Sequence, residues 1–228
     1  MNNKLILLTI FIGLLLLMSF AADRKDKNKK VVFFGDSITQ MGVEPNGYIT
    51  KMKDMLQQQG INNYDLIGAG VSGNKIYDLY LRMDDDVIKQ QPDIVVIYEG
   101  VNDVWHKTLT GTGTDADKYE KFYRAVIAKL QAKNIKVVLV TPLSIGEKKD
   151  CTNTQDGDLN KYCNIIKSIG ADLKLPVCDL RSFFVSYETA NNPNNVDKGI
   201  LTTDGVHLNE TGAQAVAEQM WNIIKVYK

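Results

Sequence analysis

The sequence contains few histidines and cysteines, and neither sign of charge is in excess. Only two histidines, His106 and His207, could serve as a general base or a metal ligand. The 27 basic and 27 acidic side chains cancel, so the chain has no general electrostatic attraction to nucleic acid or anionic lipid. We therefore expect no nucleic-acid partner. Internal repeats are absent, and a chain of 228 residues fits a single domain.

Cysteine is too scarce to define a metal site or a disulfide framework. The three cysteines, Cys151, Cys163 and Cys178, cannot all pair within one chain, and none has metal-ligand spacing. Cys151 and Cys163 could close a small loop if the protein is exported. The alternative is that all three are free and partly buried, as cysteine commonly is.

A single long apolar run lies at the amino terminus. Lys4 precedes the run 5–20, which ends at Ala21 and Ala22, and this order is typical of a secretory signal peptide. The run is shorter than the roughly 20 residues of a membrane-spanning helix. Basic residues follow it and favour retention on the cytoplasmic side, so an uncleaved membrane anchor is the alternative. We predict a signal peptide over residues 1–22 and export to the periplasm or the cell exterior.

After a charged linker, 23–30, apolar runs alternate with segments of helical period through one domain, 31–228. The runs are Val31–Phe34, Tyr64–Ile67, Ile94–Tyr98, Val137–Val140 and Pro176–Asp179. The helical segments are Tyr48–Gln59, Lys75–Gln90, Asp117–Ala132, Leu159–Leu173 and Glu210–Val226, the last with Asn209 as its N-cap. This alternation predicts a parallel sheet with helices on both faces. Two long loops, Lys107–Ala116 and Glu188–Thr203, either border the functional site or are surface linkers.

Small and polar residues follow several of the predicted strands. In open parallel sheets, ligands bind beyond the carboxyl ends of the strands. Four segments there could carry chemistry: Gly35-Asp36-Ser37-Ile38, Gly70-Val71-Ser72-Gly73-Asn74, Gly100-Val101-Asn102-Asp103 and, far downstream, Asp204-Gly205-Val206-His207.

These segments contain the parts of a serine hydrolase. A serine hydroxyl needs a base within hydrogen-bond reach, and His207 has a carboxylate, Asp204, three positions earlier that could orient its ring. The negative oxygen formed by attack needs rigid donors. The backbone of Gly73, the side-chain amide of Asn102 and the N–H of Ser37 could provide them.

The four motifs, in this order, resemble the GDSL esterases of the SGNH hydrolase superfamily. Ile38 stands where the family name has leucine, which is a conservative departure. The resemblance implies a three-layer α/β/α flavodoxin-like fold with a five-stranded parallel sheet in the order 2-1-3-4-5. It also implies Ser37 as nucleophile, His207 as base, Asp204 as its orienting partner, and an oxyanion hole from Ser37, Gly73 and Asn102. The reaction would be hydrolysis of a carboxylic ester through an acyl-enzyme, without metal or organic cofactor.

Other interpretations of the same residues remain open at this point. Ser37 could be a helix N-cap. Asp36 could serve a metal-dependent phosphoesterase, although the motif has no second carboxylate and no P-loop; we interpret Asp36 as a buried acid that shapes the turn. Asp103 is expected to brace the segment around Asn102. Trp105 could stack on a sugar, line an acyl pocket or simply pack.

The substrate is less constrained than the reaction. Export favours carbohydrate or small lipid esters as substrates, and the lack of an extended apolar loop favours a short acyl group. A non-catalytic glycan-binding module on the same scaffold is the alternative, although it would have no reason to retain all five of the site residues.

Overall fold

The computed structural model describes residues 28–227, so the predicted signal peptide and most of the predicted linker lie outside it. Strands occupy Lys29–Gly35 (β1), Tyr64–Gly70 (β2), Ile94–Tyr98 (β3), Lys136–Val140 (β4) and Val177–Cys178 (β5). Helices occupy Ser37–Met41 (α1), Tyr48–Gln58 (α2), Ile76–Asp86 (α3), Val101–Leu109 (α4), Ala116–Gln131 (α5), Asp156–Leu173 (α6), Leu180–Asn191 (α7) and Glu210–Ile224 (α8). A short 3₁₀ turn, Ile88–Gln90, follows α3.

All strand pairs are parallel, and the sheet order is β2-β1-β3-β4-β5. The predicted order is therefore confirmed. β1 lies between β2 and β3, so the segment after it emerges where the strand order reverses direction. Such a switch point is where open α/β sheets place their ligands.

The sheet is buried on both faces, as its continuous apolar runs predict. In β1, Val31 and Phe33 join one core, while Val32 and Phe34 join the other. Helices α2, α7 and α8 cover the first face, and α3, α5 and α6 cover the second. Three layers result, with one apolar stripe of each helix turned to the sheet.

Some boundaries differ from those predicted. Residues 75–90 form not one helix but α3 and the 3₁₀ turn, because the backbone departs from helical geometry at Val87. Helix α4 extends to Leu109, so the first predicted long loop is reduced to 110–115. The predicted N-cap of α8 is confirmed, since the side chain of Asn209 accepts from the N–H of Gly212 at 2.9 Å.

Helix α7 was not predicted, and the second predicted loop begins inside it. The side chain of Asp179 caps its start by accepting from the N–H of Ser182 at 3.1 Å. Leu180 and Phe184 bury one side of the helix against the sheet. Phe183 and Tyr187 pack against the same core, so the apolar residues recur at helical spacing, and the helix was readable from the sequence although it was not predicted.

The cysteines within the described chain are unpaired. Cys163 and Cys178 are buried and Cys151 is exposed. Between residues 28 and 227, no helix is both long and apolar enough to cross a membrane.

Candidate active site

Ser37 lies at the start of α1, directly after β1. The N-cap of this helix is Asp36 and not Ser37, because the Asp36 carboxylate accepts from the N–H of Ile38 at 2.9 Å. The Ser37 hydroxyl therefore does not cap the helix, and it lies at the carboxyl rim of the sheet. Gly35 is required here because a Cβ at that position would approach the carbonyl oxygen of Tyr98 to 2.2 Å.

His207 meets Ser37 from the other end of the chain. Ser37 Oγ lies 2.9 Å from His207 Nε2, and His207 Nδ1 lies 2.7 Å from Asp204 Oδ2. The other oxygen of Asp204 accepts from the backbone N–H groups of Val206 and His207 at 2.9 and 2.8 Å. The sequence-predicted hydroxyl, imidazole and carboxylate therefore stand in line.

These contacts stabilise the ionised form of the Asp204 carboxyl. Burial alone would raise the pKa of this carboxyl, but hydrogen bonds from the His207 ring, the His207 N–H and the Val206 N–H outweigh it and lower the pKa. A carboxylate at Nδ1 keeps the proton on that nitrogen, which leaves the Nε2 lone pair directed at the Ser37 hydroxyl.

Gly73 and Asn102 border the same rim. Gly73 has a φ of +76°, which favours glycine. Among residues 28–227, the hydrogen bonds include none donated by the backbone N–H of Ser37 or Gly73. Asn102 Nδ2 donates to the carbonyl oxygen of Asn74 at 3.0 Å and lies 3.4 Å from Asp36 Oδ2. One amide proton of Asn102 is thus engaged, and the other has only a long contact.

Three buried carboxyls lie beneath the rim: Asp36, Glu99 and Asp103. Burial raises the pKa of Asp36 to about 6 and that of Asp103 to about 7, and it raises the pKa of Glu99 well above its ordinary value. Both oxygens of Asp103 lie 3.3 Å from the N–H of Ile76, at the start of α3. Asp103 thus braces the helix that follows Gly73. In the described part of the chain, no three His, Cys, Asp or Glu side chains are grouped to hold a metal ion.

Trp105 and His106 form one wall of the site. The ring of Trp105 lies 6.2 Å from that of His207 at an interplanar angle of 70°. A Cβ built on Gly73 would lie 4.0 Å from His106 Cε1. Both side chains are half-buried, so an aromatic surface remains beside the imidazole.

Sequence reasoning missed three residues that support the site: Asn74, Arg82 and Glu147. Asn74 accepts from Asn102, Arg82 donates to Asn74, and Glu147 accepts from the backbone of the loop before Asp204. Asn74 appeared in the sequence motif only as the residue after Gly73, without a role of its own. Arg82 also donates to Gly35, 47 residues earlier, and Glu147 accepts from Leu201, 54 residues later; no motif marks either residue.

This combination of fold and site is that of a serine hydrolase, in which an imidazole activates a hydroxyl at the rim of an α/β sheet. The chain belongs to the GDSL-like lipase/acylhydrolase family, whose model matches residues 33–215. The resemblance stated from the four motifs is therefore confirmed. The protein is a carboxylic ester hydrolase, and its dependence on serine follows from the family.

Several similar proteins are named as esterases. The acetylxylan esterase of Geobacillus stearothermophilus is 28% identical over 212 residues, which cover 83% of this chain and 90% of that protein. The crystal structure of the acetyl xylan esterase AlAXEase has a TM-score of 0.84 and 60% identity, covering 85% of this chain and 98% of that one. The uncharacterized lipoprotein YqeF of Bacillus subtilis is 24% identical over 230 residues, covering 91% of this chain and 95% of that protein. None of these relatives is named as a non-catalytic glycan-binding module.

Proposed function

We propose that this protein removes acetyl groups from acetylated xylan or its oligosaccharides, with Ser37 as the nucleophile. The observation that carries the proposal is the 2.9 Å contact between Ser37 Oγ and His207 Nε2, in a chain 60% identical to a protein named as an acetyl xylan esterase. The short acyl group expected from the sequence agrees with that substrate.

The first step is attack of Ser37 on the ester carbonyl. His207 Nε2 takes the hydroxyl proton as the Oγ–C bond forms, and Asp204 stabilises the resulting imidazolium. Collapse of the tetrahedral intermediate breaks the bond to the sugar oxygen, which receives the proton from His207. Water, deprotonated by His207, then attacks the acetyl-enzyme, and acetate leaves with Ser37 restored.

The negative oxygen of each intermediate is bound by two donors without a protein acceptor in the resting site and by a third that has only a long contact. The N–H groups of Ser37 and Gly73 supply two of them. Asn102 supplies the third by exchanging its 3.4 Å contact with Asp36 for the oxyanion. Donors fixed before reaction stabilise the transition state without a cost for reorienting them.

The aromatic wall suits a sugar leaving group. Trp105 stands 6.2 Å from the His207 ring and keeps an accessible face. Ligand pockets are lined mainly by apolar and aromatic side chains, because a flat ring can pack against an apolar face of the ligand. Trp105 is thus placed to hold the xylose unit whose oxygen accepts the proton.

Export also forms part of the proposal. The pattern of residues 1–22 is that of a secretory signal peptide, and one similar protein is named as a lipoprotein. Polymeric xylan lies outside the cell, so an exported enzyme would meet it.

The test is acetate release from acetylated xylooligosaccharides, measured beside hydrolysis of acetyl, butyryl and octanoyl nitrophenyl esters. We expect the wild type to release acetate and to favour the acetyl ester. Ser37→Ala should abolish both activities while the circular dichroism spectrum is unchanged, and Ser72→Ala, a rim serine outside the proposed site, is the matched control. Survival of more than a few per cent of activity in Ser37→Ala would refute the nucleophile assignment. Preference for the octanoyl ester, with no acetate from the sugar, would refute the substrate class.

A further inference from the structure

Arg82, on α3, directs its guanidinium into the carboxyl ends of two strands. Nη2 donates to the carbonyl oxygens of Gly35 and Ala69, at 2.8 and 3.0 Å. Nε donates to Asn74 Oδ1 at 2.6 Å. The side chain is only 16% exposed, and its guanidinium carbon lies 4.6 Å from the centre of the Phe34 ring. A largely buried guanidinium, with Nε and both protons of Nη2 engaged, thus ties together the carboxyl ends of β1 and β2.

These acceptors adjoin the proposed oxyanion donors. Gly35 stands two residues before Ser37, and Asn74 directly follows Gly73. The carbonyl oxygen of Asn74, in turn, accepts from Asn102 Nδ2 at 3.0 Å. Arg82 therefore contacts the backbone just before Ser37. Through Asn74 it is also linked to Gly73 and Asn102.

We propose that Arg82 is a positioning residue that sets the spacing of the oxyanion hole. An oxyanion hole acts through donors held in place before the charge develops, so a displacement of about 1 Å can cost about 100-fold in rate. The planar guanidinium has its donors in a fixed fork, which a lysine ammonium cannot reproduce. This inference rests on the proposed function, because it requires that Ser37 attack an ester.

A purely structural role would predict a different result. Nη1 also pairs with Asp86 Oδ2 at 2.8 Å, within the same helix, and such a pair could merely stabilise α3. If that were all, Arg82 variants would lower the melting temperature but leave the folded enzyme fully active. If Arg82 is a positioning residue, its substitution instead lowers kcat, leaves KM nearly unchanged and weakens the binding of transition-state analogues.

The experiment compares Arg82→Lys with wild type in nitrophenyl acetate hydrolysis and in inhibition by phenylboronic acid, whose tetrahedral adduct on Ser37 places an oxygen in the hole. We expect kcat to fall about 10- to 100-fold, KM to change by less than about threefold, and the inhibition constant to rise in parallel with the loss in kcat. Arg124→Lys, which removes a partly exposed arginine paired with Glu120 and Asp172, should leave all three unchanged.

A second variant keeps the test decisive if Arg82→Lys does not fold. Asn74→Ala removes only the acceptor of Arg82 Nε, and it should also lower kcat at least fivefold with little change in KM. Full kcat in a folded Arg82→Lys or Asn74→Ala would overturn the inference. Because the wild type is assayed alongside, absence of any esterase activity there would instead mark failure of the proposed function.

Discussion

Asn102 illustrates how a single side chain combines structure and chemistry. It lies in the first turn of α4 and is 2% exposed. One of its amide protons is committed to Asn74, whereas the other has only a 3.4 Å contact with Asp36. A donor that is fixed by its neighbours and still has a proton to give is what a developing oxyanion requires.

Asn102→Ala is expected to lower kcat for nitrophenyl acetate by about 10²–10³-fold, as removal of one oxyanion donor does. KM should change little, because the ground-state carbonyl gains little from this donor. Steady-state kinetics on the purified variant would measure both constants. Asn164→Ala, at an exposed position on α6, serves as the control. A loss smaller than about threefold would remove Asn102 from the hole.

At the scale of residues, the motifs predict the reacting groups but not their supports. The residue types and the order of the four motifs make Ser37, Gly73, Asn102, Asp204 and His207 the candidates for these groups. Arg82 and Glu147 could not be predicted, because a buried arginine or glutamate is recognisable only by what surrounds it. Beside nearer partners, Arg82 bonds Gly35, 47 residues earlier, and Glu147 bonds Leu201, 54 residues later.

At the scale of elements, the loop before α8 is held by one carboxylate. Glu147 is fully buried and accepts from the N–H groups of Ile200, Leu201 and Thr202 at 2.6–2.7 Å. It also accepts from the Thr202 hydroxyl at 2.8 Å. That hydroxyl in turn accepts from the N–H of Gly205 at 3.0 Å. The segment that carries Asp204 and His207 is therefore anchored to the loop after β4.

Glu147→Ala should destabilise the protein, because it leaves several buried donors without an acceptor. At about 1–3 kcal/mol for each unsatisfied group, the loss should reach roughly 3 kcal/mol or more, which lowers Tm by about 6–12 °C in a domain of this size. Calorimetry would measure the shift, and kcat should fall with it as His207 loses its fixed position.

Two companion variants sharpen this measurement. Glu147→Gln keeps one carbonyl oxygen in place of Oε1, which takes three of the four bonds, so its Tm should lie between those of wild type and Glu147→Ala. Glu218→Gln, on the exposed side of α8, should leave Tm unchanged. A Glu147→Ala protein that melts within about 2 °C of wild type would contradict the anchoring role.

Helices α4 and α7 were not predicted, although the apolar residues of each recur at helical spacing. Both helices begin at the sheet rim directly after a strand, and the polar residues there, such as Asn102 in α4 and Asp179 before α7, are also typical of a turn. Val104, Leu180 and Phe184 are buried and hold these helices on the sheet. Strands β1, β3 and β4 were predictable because burial on both faces leaves continuous apolar runs, whereas the edge strands β2 and β5 gave a weaker and a shorter pattern.

At the scale of the whole molecule, several buried carboxyls make stability depend on pH. Burial raises the pKa of Asp36 to about 6, that of Asp103 to about 7 and that of Glu188 to about 8. Glu188 is 3% exposed, and its Oε1 lacks a hydrogen-bond partner among the described residues. The folded protein therefore retains these protons at pH values where the unfolded chain has already released them.

The sign of the effect follows from this difference. Between about pH 4 and pH 8 the folded state binds more protons, so the free energy of unfolding falls as pH rises, and it levels off above the folded pKa values. Asp179 and Asp204 act oppositely, since their pKa values are lowered, but their contribution is lost only as pH falls through the acid range. We expect Tm to be several degrees lower at pH 8 than at pH 5.

Glu188→Gln should flatten that dependence, because an amide resembles the protonated carboxyl and cannot ionise. Thermal melts at pH 5, 6, 7 and 8 would compare the variant with wild type and with Glu44→Gln, at an exposed loop position. A Glu188→Gln profile as steep as that of wild type would show that Glu188 is not among the groups responsible.

The reacting pair spans 170 residues of sequence, and His207 sits just before α8, which packs on the early helix α2. A chain cut before Asp204 would lose both the base and α8, whose apolar side covers part of one sheet face. We therefore expect hydrolysis during refolding to begin only after the segment that carries His207 has docked. The time at which hydrolysis begins during refolding would therefore report when the C-terminal segment reaches Ser37.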